Sequence, residues 1–459
     1  MKTSSLIIIL IYTFALNSIY SAATKPDKPN ILIIFTDDQG YGDLRCYGNK
    51  RNKTPELDKL ANEGIKFTSF YSQSVCGPSR SALLTGRQPI RSGGWGMPAS
   101  EITFAELMKQ SGYDTACIGK WDVSNRKAIK ERMPNAQGFN YYFGPLGAND
   151  DGVVAIHENH EPSLVTKDMG NLIKLYTEKS INYLKNIRDP KKPFLLYLSH
   201  TMMHTIIDAS KKFKGKSKGG LYGDVVEEFD FETGRLLDTL DELKLRDNTL
   251  VIYTSDNGPW NQKKYTDKKK GHPKDSIFWG DSGPLRNGKG SCYEGGYRLP
   301  CIVRWPGKIK EGRISDAIVA TIDFMPTFAN ICKFKLPDGV RIDGIDQTDL
   351  LLGKKEKITG KIVLIEQGSI DGTSCDFVKK VSEGQIAGAK AVIIYNLRIL
   401  ENRHMRRKKI KCPKHLTDMN LQSVRIISIV YSCTQNTRCI DTASHIRHMI
   451  NTACPVDDI

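Results

Sequence analysis

The amino-acid sequence predicts an α/β fold that is built on a central, mostly parallel sheet. Apolar runs at 31–35, 194–198 and 250–253 lack polar alternation, which is typical of parallel strands that are buried on both faces. Segments with helical periodicity lie between these runs, as expected when helices cover a sheet on both sides. The chain of 459 residues is long enough for a large core and predicts two domains.

Residues 1–23 have the pattern of a secretory signal peptide. Lys2 precedes an apolar run at 6–11, and the small residues at 21–23 make a cleavage site. No later segment has the ~20 consecutive apolar residues that a membrane span needs, and residues 456–459 carry no retention signal. The sequence therefore predicts a protein of the secretory pathway, lysosomal or extracellular, without a membrane span.

The first apolar strand ends in two adjacent carboxylates, Asp37 and Asp38. Such carboxylates repel each other unless a cation or a proton lies between them. A strand at 249–255 ends in a similar way, with Asp256 and Asn257 followed by glycine. Ligands of open α/β sheets bind at the carboxyl ends of strands, and oxygen ligands suit Ca²⁺ or Mg²⁺. The two strand ends together predict a metal site, whereas either one alone would also fit a plain turn.

Three segments predict helices that pack on the sheet. The first spans 54–61, with proline in its first turn. The second spans 167–188 and ends before Asp189-Pro190, because a proline disfavours the helical conformation in the residue before it. The third spans 223–243 and leads into the strand that precedes Asp256. Their apolar residues recur at helical spacing, so ordinary core packing explains them.

The stretch 74–86 places Cys76 before a Gly-Pro step and Arg80 four residues after the cysteine. Pro78 suits the first turn of a helix, where its missing N–H costs nothing. Cys76 would then face the unpaired N–H groups of a helix N-terminus, a position that favours anions. A nucleophile, a cation and a helix N-terminus together describe a site for a tetrahedral oxyanion. The simpler alternative is a buried cysteine in a turn.

The pattern Cys-x-Pro-x-Arg followed by Leu-Leu-Thr-Gly, unbroken within 74–86, resembles the signature of the sulfatase family. The resemblance to the catalytic core of that family covers 29–352. It implies an alkaline-phosphatase-like α/β sandwich and the oxidation of Cys76 to formylglycine (3-oxoalanine) by the formylglycine-generating enzyme of the endoplasmic reticulum. It also implies one calcium ion that contacts the modified Cys76 and is held by Asp37, Asp38, Asp256 and Asn257.

The same resemblance implies further site residues. Lys120 lies near the end of a predicted strand at 112–121 and matches a lysine that binds the sulfate. Lys289, in the Gly-rich loop 284–300, matches a second sulfate-binding lysine. His204 follows the strand at 194–199 and takes the place of a histidine that contacts the substrate, while Arg80 steadies the formylglycine hydrate. In the implied mechanism the hydrate attacks sulfur, and elimination then frees sulfate.

One position departs from the family pattern. Sulfatases normally have a histidine directly after Lys-Trp, where this chain has Asp122. That histidine helps to deprotonate the hydrate so that sulfate can leave. A carboxylate could also serve as a base, but it would repel a bound sulfate.

The C-terminal part is similar to a protease-associated (PA) domain rather than to the antiparallel subdomain of sulfatases. Its pattern predicts strands at 360–366 and 389–396, with a helix at 375–387 between them. PA domains act as binding or access modules, and we expect a small α+β unit of this kind. The predicted division is a signal peptide at 1–23, a sulfatase catalytic domain at 24–353 and a PA-like domain at 358–459, with its strongest match at 358–396.

The cysteines indicate an oxidising compartment, because the chain has eleven of them. Ten of the eleven remain if Cys76 is converted, and this even number permits full disulfide pairing, with the connectivity open. Four crowd the C-terminal part and suggest local disulfides: Cys412, Cys433, Cys439 and Cys454. A glycosylation sequon is present at Asn52-Lys53-Thr54.

The formal charge of +16 is concentrated in runs at 211–218, 263–274 and 403–411. Nucleic acid is a poor partner for an exported chain without a recognition motif. The runs are either solvated loops or a basic rim that attracts a polyanionic substrate such as a sulfated polysaccharide.

The sequence therefore predicts a sulfuric ester hydrolase that acts on an aryl or carbohydrate sulfate, either a small molecule or a glycan. Two alternatives remain open. A metal-dependent phosphatase or phosphodiesterase of the same fold would share the strand-end acids, but it would ordinarily use serine or threonine as the nucleophile and more metal-binding histidines. A catalytically weak or inactive sulfatase-like binding protein is suggested by Asp122 and by the missing antiparallel subdomain.

Overall fold

A computed structural model describes residues 28–260 and 280–354, together with the backbone of three C-terminal strands. The expected signal peptide, the expected helix at 375–387 and the basic runs at 263–274 and 403–411 lie outside the described residues. None of the helices in the described ranges has the length and apolar character that crossing a membrane requires.

The described part of the catalytic region forms one mixed sheet of eleven strands. The strands are β1 (Asn30–Thr36), β2 (Ile65–Tyr71), β3 (Asp114–Gly119), β4 (Tyr141–Pro145), β5 (Val154–Glu158), β6 (Glu161–Thr166), β7 (Phe194–Ser199), β8 (Thr249–Ser255), β9 (Arg298–Arg304), β10 (Arg313–Ser315) and β11 (Val319–Ala320). Their order is β10-β2-β9-β8-β1-β7-β3-β4-β5-β6, and β11 pairs with β2. The apolar runs predicted as buried strands form β1, β7 and β8.

The centre of the sheet consists of the parallel strands β8, β1, β7 and β3. Phe35 of β1 lies opposite Ser199 of β7 on one side and Thr254 of β8 on the other. Gly119 of β3 lies opposite Ser199 in turn. The carboxyl ends of all four strands are therefore level with one another, at the edge where ligands of open α/β sheets bind.

Helices cover the sheet on both faces. They are α1 (Pro55–Asn62), α2 (Cys76–Thr85), α3 (Pro89–Ser92), α4 (Phe104–Gln110), α5 (Leu172–Asn182), α6 (Gly220–Glu242), α7 (Glu294–Tyr297), α8 (Phe324–Ile331) and α9 (Thr348–Leu351). The helices expected at 54–61 and 223–243 are α1 and α6. The one expected at 167–188 forms as α5, which is preceded by a 3₁₀ turn at Met169–Asn171 and followed by a π turn at Tyr183–Ile187.

Alternate residues of β1 point into two separate cores, as the two-residue period of a strand requires. Ile31, Ile33 and Phe35 belong to one buried cluster, which also contains apolar residues of α2, α4 and α8. Leu32 and Ile34 belong to the other cluster, which contains apolar residues of α1, α5 and α6. The predicted α/β sandwich with a central, mostly parallel sheet is confirmed.

The C-terminal region contains a separate sheet of three parallel strands among the residues described there, in the order β12-β13-β14. These strands are β12 (Ile362–Glu366), β13 (Ala391–Ile399) and β14 (Arg425–Cys433). β12 and β13 correspond to the strands expected at 360–366 and 389–396, whereas β14 is an additional strand. Tyr395 in β13 lies opposite Glu366 on one side and Ile429 on the other.

The cysteines of the described residues differ from expectation. Five of them are free: Cys46, Cys76, Cys117, Cys301 and Cys332. The full pairing that an even number of cysteines permits does not occur among these five. Cys117, Cys301 and Cys332 are completely buried, where a thiol acts as a small apolar side chain. The local disulfides expected among the last four cysteines lie outside the side chains that the structure describes.

The glycosylation sequon at Asn52 is closed in the folded chain. The Asn52 side chain is buried, and its Nδ2 atom donates a hydrogen bond of 3.0 Å to the carbonyl of Asp43. Nδ2 is the atom that would carry a glycan, and a glycan needs solvent. Asn52 serves here as an internal hydrogen-bond donor.

The basic run at 211–218 lies between β7 and α6, and its five lysines are exposed. The backbone N–H groups of Gly215, Lys216 and Ser217 donate to the buried carboxylate of Asp224 at 2.7, 2.9 and 2.7 Å. This anchor fixes the loop on α6 while its lysine side chains remain in solvent. Such exposure suits a solvated loop and a basic rim equally.

Candidate active site

The candidate site lies at the carboxyl ends of the four central strands. β1 delivers Asp37 and Asp38, and β8 delivers Asp256 and Asn257. The remaining members come from α2, from the segments after β3 and β7, and from the Gly-rich loop 284–300. All the residues predicted from the sequence lie in this one region, and all are buried: Asp37, Asp38, Cys76, Arg80, Lys120, His204, Asp256, Asn257 and Lys289.

Helix α2 presents Cys76 to the site as its first residue. Val75 before it is extended, and the carbonyl of Val75 accepts the first helical hydrogen bond from Ser79 N at 3.2 Å. Pro78 therefore lies in the first turn, where the missing N–H breaks no helical bond. The Cys76 Sγ atom and one oxygen each of Asp37 and Asp256 lie within 4.8 Å of one another. The helix thus holds the thiol against two carboxylates.

Arg80 joins the strand ends to one another. Its Nη2 and Nε atoms donate to Oδ2 of Asp256 at 2.7 and 3.2 Å, and Nη2 also lies 3.3 Å from Oδ2 of Asp37. Its Nη1 atom donates to Oγ of Ser199 and to the carbonyl of Lys120. Because the guanidinium is completely buried and multiply bonded, its position is fixed by the fold.

Lys120 follows β3, whose last residue, Gly119, has a φ of 107°. A Cβ atom at Gly119 would meet the carbonyl oxygen of Ser199 at 1.9 Å, so only glycine allows the chain to turn here. The turn places Lys120 Nζ 2.6 Å from Oδ2 of Asp37 and 3.4 Å from Oδ2 of Asp122. Burial alone would lower the pKa of Lys120, but Asp122 and Asp37 raise it well above its ordinary value. The side chain is a permanent cation.

Lys289 approaches from the Gly-rich loop on the other side. Its Nζ atom lies 2.7 Å from Oδ1 of Asp38 and 5.4 Å from the centre of the Trp260 ring. The same carboxylate oxygen accepts a hydrogen bond of 2.7 Å from Nδ2 of Asn257. Lys289 and Asn257 therefore orient the Asp38 carboxylate together.

His204 lies beside the two β1 carboxylates. One of its ring nitrogens and one oxygen each of Asp37 and Asp38 lie within 4.8 Å of one another. Its Nδ1 atom is 2.6 Å from the carbonyl of Thr205, which fixes Nδ1 as the protonated nitrogen. Burial, with Lys289 adding to it, lowers the pKa of His204. The Nε2 atom faces the site, 3.9 Å from Oδ2 of Asp38.

The oxygen atoms of the strand ends fit a hard cation. Asp37 Oδ1, Asp38 Oδ2 and Asn257 Oδ1 are buried without a hydrogen-bond partner, although the other polar atom of each side chain is bonded. An unsatisfied buried acceptor is costly, and three together are unusual in a native site. Carboxylate and amide oxygens are the ligands that Ca²⁺ prefers. The donor set therefore fits the ion that the sequence predicted, and Asp256 and Cys76 lie within reach of the same position.

The charges of the site shift several titrations. Burial alone would raise the pKa of Asp37, but Lys120, His204 and Arg80 hold it well below its usual value. Burial and the nearby Asp37 raise the pKa of Asp256, and Arg80 opposes this shift. Burial raises the pKa of the Cys76 thiol to about 12; Lys120 opposes this shift and Asp122 adds to it. An unmodified Cys76 is therefore a protonated thiol at neutral pH, which is a weak nucleophile.

The Asp122 carboxylate is paired with a second cation besides Lys120. Its Oδ1 atom accepts a hydrogen bond of 2.9 Å from Nε of Arg126. Burial alone would raise the pKa of Asp122, but Lys120 and Arg126 lower it below its usual value. From the sequence we expected the Asp122 charge to repel a bound sulfate. The structure shows that a second cation, Arg126, offsets this charge.

Three contributors to the site carry no motif that singles them out. Ser199 is the last residue of β7, and its position at a strand end is a signal that could have identified it. Arg126 and Asp150 lie in loops after β3 and β4, and only the fold brings them together, with Arg126 Nη1 2.5 Å from Asp150 Oδ2.

Comparison with known proteins identifies the family. The family model described as Sulfatase matches residues 29–333, and the model described as PA domain matches residues 333–413. The chain belongs to the sulfatase family. The sulfatase interpretation and the C-terminal PA domain are thereby confirmed, and sulfuric ester hydrolysis is the activity of this sulfatase.

Curated relatives and solved structures agree with this assignment. This sulfatase is 34% identical to N-acetylgalactosamine-6-sulfatase of Canis lupus familiaris, over 72% of this chain and 67% of the relative. It is 32% identical to steryl-sulfatase of Homo sapiens, over 72% of this chain and 70% of the relative. The crystal structure of PsFucS1 sulfatase from Pseudoalteromonas sp. superposes with a TM-score of 0.63 at 30% identity, covering 72% of this chain and 73% of that one.

Proposed function

We propose that this sulfatase removes sulfate from an aryl or carbohydrate sulfate ester, using Cys76 in its formylglycine form and one calcium ion. The observation that carries the proposal is the position of the Cys76 Sγ atom within 4.8 Å of carboxylate oxygens of Asp37 and Asp256, at the N-terminus of α2. This nucleophile position is surrounded by three buried cations, Arg80, Lys120 and Lys289. Such a pocket suits a reacting group that carries negative charge.

The calcium ion would be held by Asp37, Asp38, Asp256 and Asn257, next to residue 76. A bound divalent cation lowers the pKa of a hydroxyl that contacts it, and a hydrated aldehyde at residue 76 supplies such a hydroxyl. The unpaired oxygens of Asp37, Asp38 and Asn257 support this ligand set. Burial of the strand ends excludes water from the position.

The protein side chains then have distinct tasks. Arg80 is locked to Asp256 and Asp37 and holds the residue-76 end of the site in place. Lys120 and Lys289 lie on the two sides of the β1 carboxylates and compensate the charge on the sulfate oxygens. His204, held by Thr205, is oriented to contact the same group through Nε2. Fixed cations of this kind stabilise developing charge without reorganisation.

The natural substrate is a sulfated small molecule or glycan. The names of the relatives describe two chemical classes, an N-acetylgalactosamine sulfate and a steryl sulfate, so similarity alone does not choose between them. The exposed lysines at 211–218 are compatible with a polyanionic substrate. We further propose that the chain is exported to a lysosome or to the extracellular space. Its proposed division is a signal peptide at 1–23, a catalytic domain at 24–353 and a PA-like domain at 358–459.

The proposal is tested by sulfate release from 4-methylumbelliferyl sulfate and from N-acetylgalactosamine 6-sulfate. The protein should be secreted from cells that contain the formylglycine-generating enzyme. We expect turnover of at least one ester and a loss of at least ~10³-fold in the Cys76→Ala variant, since nucleophile and modification are both removed. Cys332→Ala is the matched control, because Cys332 is also a buried free cysteine but lies outside the site. Inactivity on both esters, with residue 76 fully converted, would favour the binding-protein alternative.

A further inference from the structure

The side-chain charges of the described site, counted without the proposed calcium ion, balance only when a cation outside the expected set is included. Asp37, Asp38 and Asp256 face Arg80, Lys120 and Lys289, which makes three carboxylates and three cations. Asp122 adds a fourth carboxylate, which is completely buried, on the side of Lys120 where the sulfate is expected. A buried carboxylate without its own cation is costly, and here it would also oppose an anionic substrate.

Arg126 supplies the missing cation. Its Nε atom donates to Asp122 Oδ1 at 2.9 Å, and its Nη1 atom contacts Asp150 Oδ2 at 2.5 Å. The guanidinium therefore bridges a buried carboxylate and a rim carboxylate, since the Asp150 side chain is 40% exposed. Asp150 Oδ1 in turn lies 3.6 Å from His204 Nε2. The arrangement connects the Lys120 side of the site with the His204 side.

The backbone conformation of residues 122–126 brings the Arg126 guanidinium back to the Asp122 carboxylate. Asp122, Asn125 and Arg126 have φ values of 59°, 55° and 58°, a left-handed conformation that is strained for a non-glycine residue. The loop is held by a hydrogen bond of 2.7 Å from Asn125 N to the carbonyl of Trp95. Three left-handed residues in five positions persist only where the surrounding structure over-determines them.

We propose that Arg126 is a positioning residue that neutralises Asp122 and thereby keeps the sulfate-binding face of the site cationic. The inference rests on the proposed function, because it assigns this pair to the sulfate pocket. Arg126 holds the Asp122 carboxylate by Oδ1, so that Lys120 remains available to Asp37 and to an incoming sulfate. The Asp122–Arg126 pair takes the place of the single histidine that the family pattern has at position 122.

A double-mutant cycle tests this role. We expect Arg126→Gln to raise the Kd for inorganic sulfate and the KM for 4-methylumbelliferyl sulfate about tenfold, with a smaller effect on kcat. In the Asp122→Asn background the same substitution should change both constants by less than about twofold, because no buried charge then needs compensation. Arg126→Lys should lie between the wild type and Arg126→Gln, since lysine keeps the charge but loses the planar fork.

The control is Arg235→Gln, which breaks a comparable ion pair of 2.6 Å with Glu232 on α6 and should leave both constants unchanged. An equal effect of Arg126→Gln in both backgrounds, or none in either, would overturn the inference. If Arg126→Gln does not fold, Arg126→Lys in the two backgrounds decides by the same criterion. Sulfate binding that shows the coupling, in a protein that hydrolyses no ester, would overturn the proposed function alone. Absence of both binding and hydrolysis would overturn both.

Discussion

Lys120 Nζ lies 2.6 Å from Oδ2 of Asp37, and both side chains are completely buried at the carboxyl edge of the sheet. Lys120 also lies 3.4 Å from Oδ2 of Asp122, so it contacts two buried carboxylates, which Arg80 and Arg126 contact as well. Lys289, by contrast, pairs with Asp38, which keeps a hydrogen bond from Asn257. We therefore expect Lys120 to contribute more to the stability of the fold than Lys289.

We predict that Lys120→Met lowers the free energy of unfolding by about 3–5 kcal/mol, because Asp37 and Asp122 both lose a buried cation and are left with one arginine each. Lys289→Met should cost less stability, while it lowers kcat/KM by about 10²–10³-fold through the lost compensation of sulfate charge. Urea unfolding and steady-state kinetics on both variants make the comparison. A Lys289→Met protein that is destabilised as much as Lys120→Met would contradict this difference.

Calcium should stabilise the folded protein through the unpaired oxygens of Asp37, Asp38 and Asn257. After treatment with a chelator, added Ca²⁺ at 100 times its Kd should raise the free energy of unfolding by about 2.7 kcal/mol. Asp38→Asn should remove most of this gain, because it weakens the ligand set while it preserves the shape of the side chain. The matched control is Asp238→Asn on the exposed face of α6, which should keep the full gain. Thermal unfolding against calcium concentration gives the result, and an undiminished gain in Asp38→Asn would reject this ligand set.

Stability should fall as the pH rises from about 4 to 7, owing partly to Asp230. Asp230 on α6 is buried and accepts the N–H groups of Glu56 and Leu57 at 3.2 and 2.8 Å, which caps α1. Burial raises the pKa of Asp230 to about 7, although the hydrogen bonds from Leu57 and Glu56 act to lower it. Between the unfolded and folded pKa values the native state binds more protons than the unfolded chain. The free energy of unfolding therefore decreases with pH in this window, by at most about 4 kcal/mol from this group.

Asp230→Asn should flatten this dependence, since the amide has no proton to lose. Urea unfolding at pH 5 and pH 7.5 measures the slope, and the exposed Asp238→Asn variant on the same helix is the control. Equal slopes in Asp230→Asn and the wild type would show that other groups cause the dependence. Greater stability at acidic pH would suit a protein that works in an acidic lumen.

Much of the fold and of the site could be predicted from the sequence because each part has a local signal. Unbroken apolar runs predicted β1, β7 and β8, and the acids directly after two of these strands predicted the candidate metal ligands. Parallel strands end at a common edge, so residues far apart in sequence, such as Asp38 and Asn257, were expected to meet. The Cys76 stretch carried its own helix signal in Pro78.

The remaining features depend on contacts that sequence spacing does not encode. Arg126 pairs with Asp122 across a tight loop in which Asp122, Asn125 and Arg126 have positive φ values. The five free cysteines show that an even number of cysteines does not predict disulfide pairing where thiols pack as apolar side chains. The Asn52 sequon is complete in the sequence, yet the side-chain amide of Asn52 donates a hydrogen bond to the carbonyl of Asp43.

The central claim is that Cys76 is converted to formylglycine and acts as the reacting group at the calcium site. Mass spectrometry of the tryptic peptide that contains residue 76 tests it most directly, using protein secreted from cells with the formylglycine-generating enzyme. The account predicts the mass of an aldehyde, or of its hydrate, in place of the thiol. Cys117 and Cys332 in the same sample should remain thiols and serve as internal controls. An intact Cys76 thiol in secreted, folded protein would contradict the account.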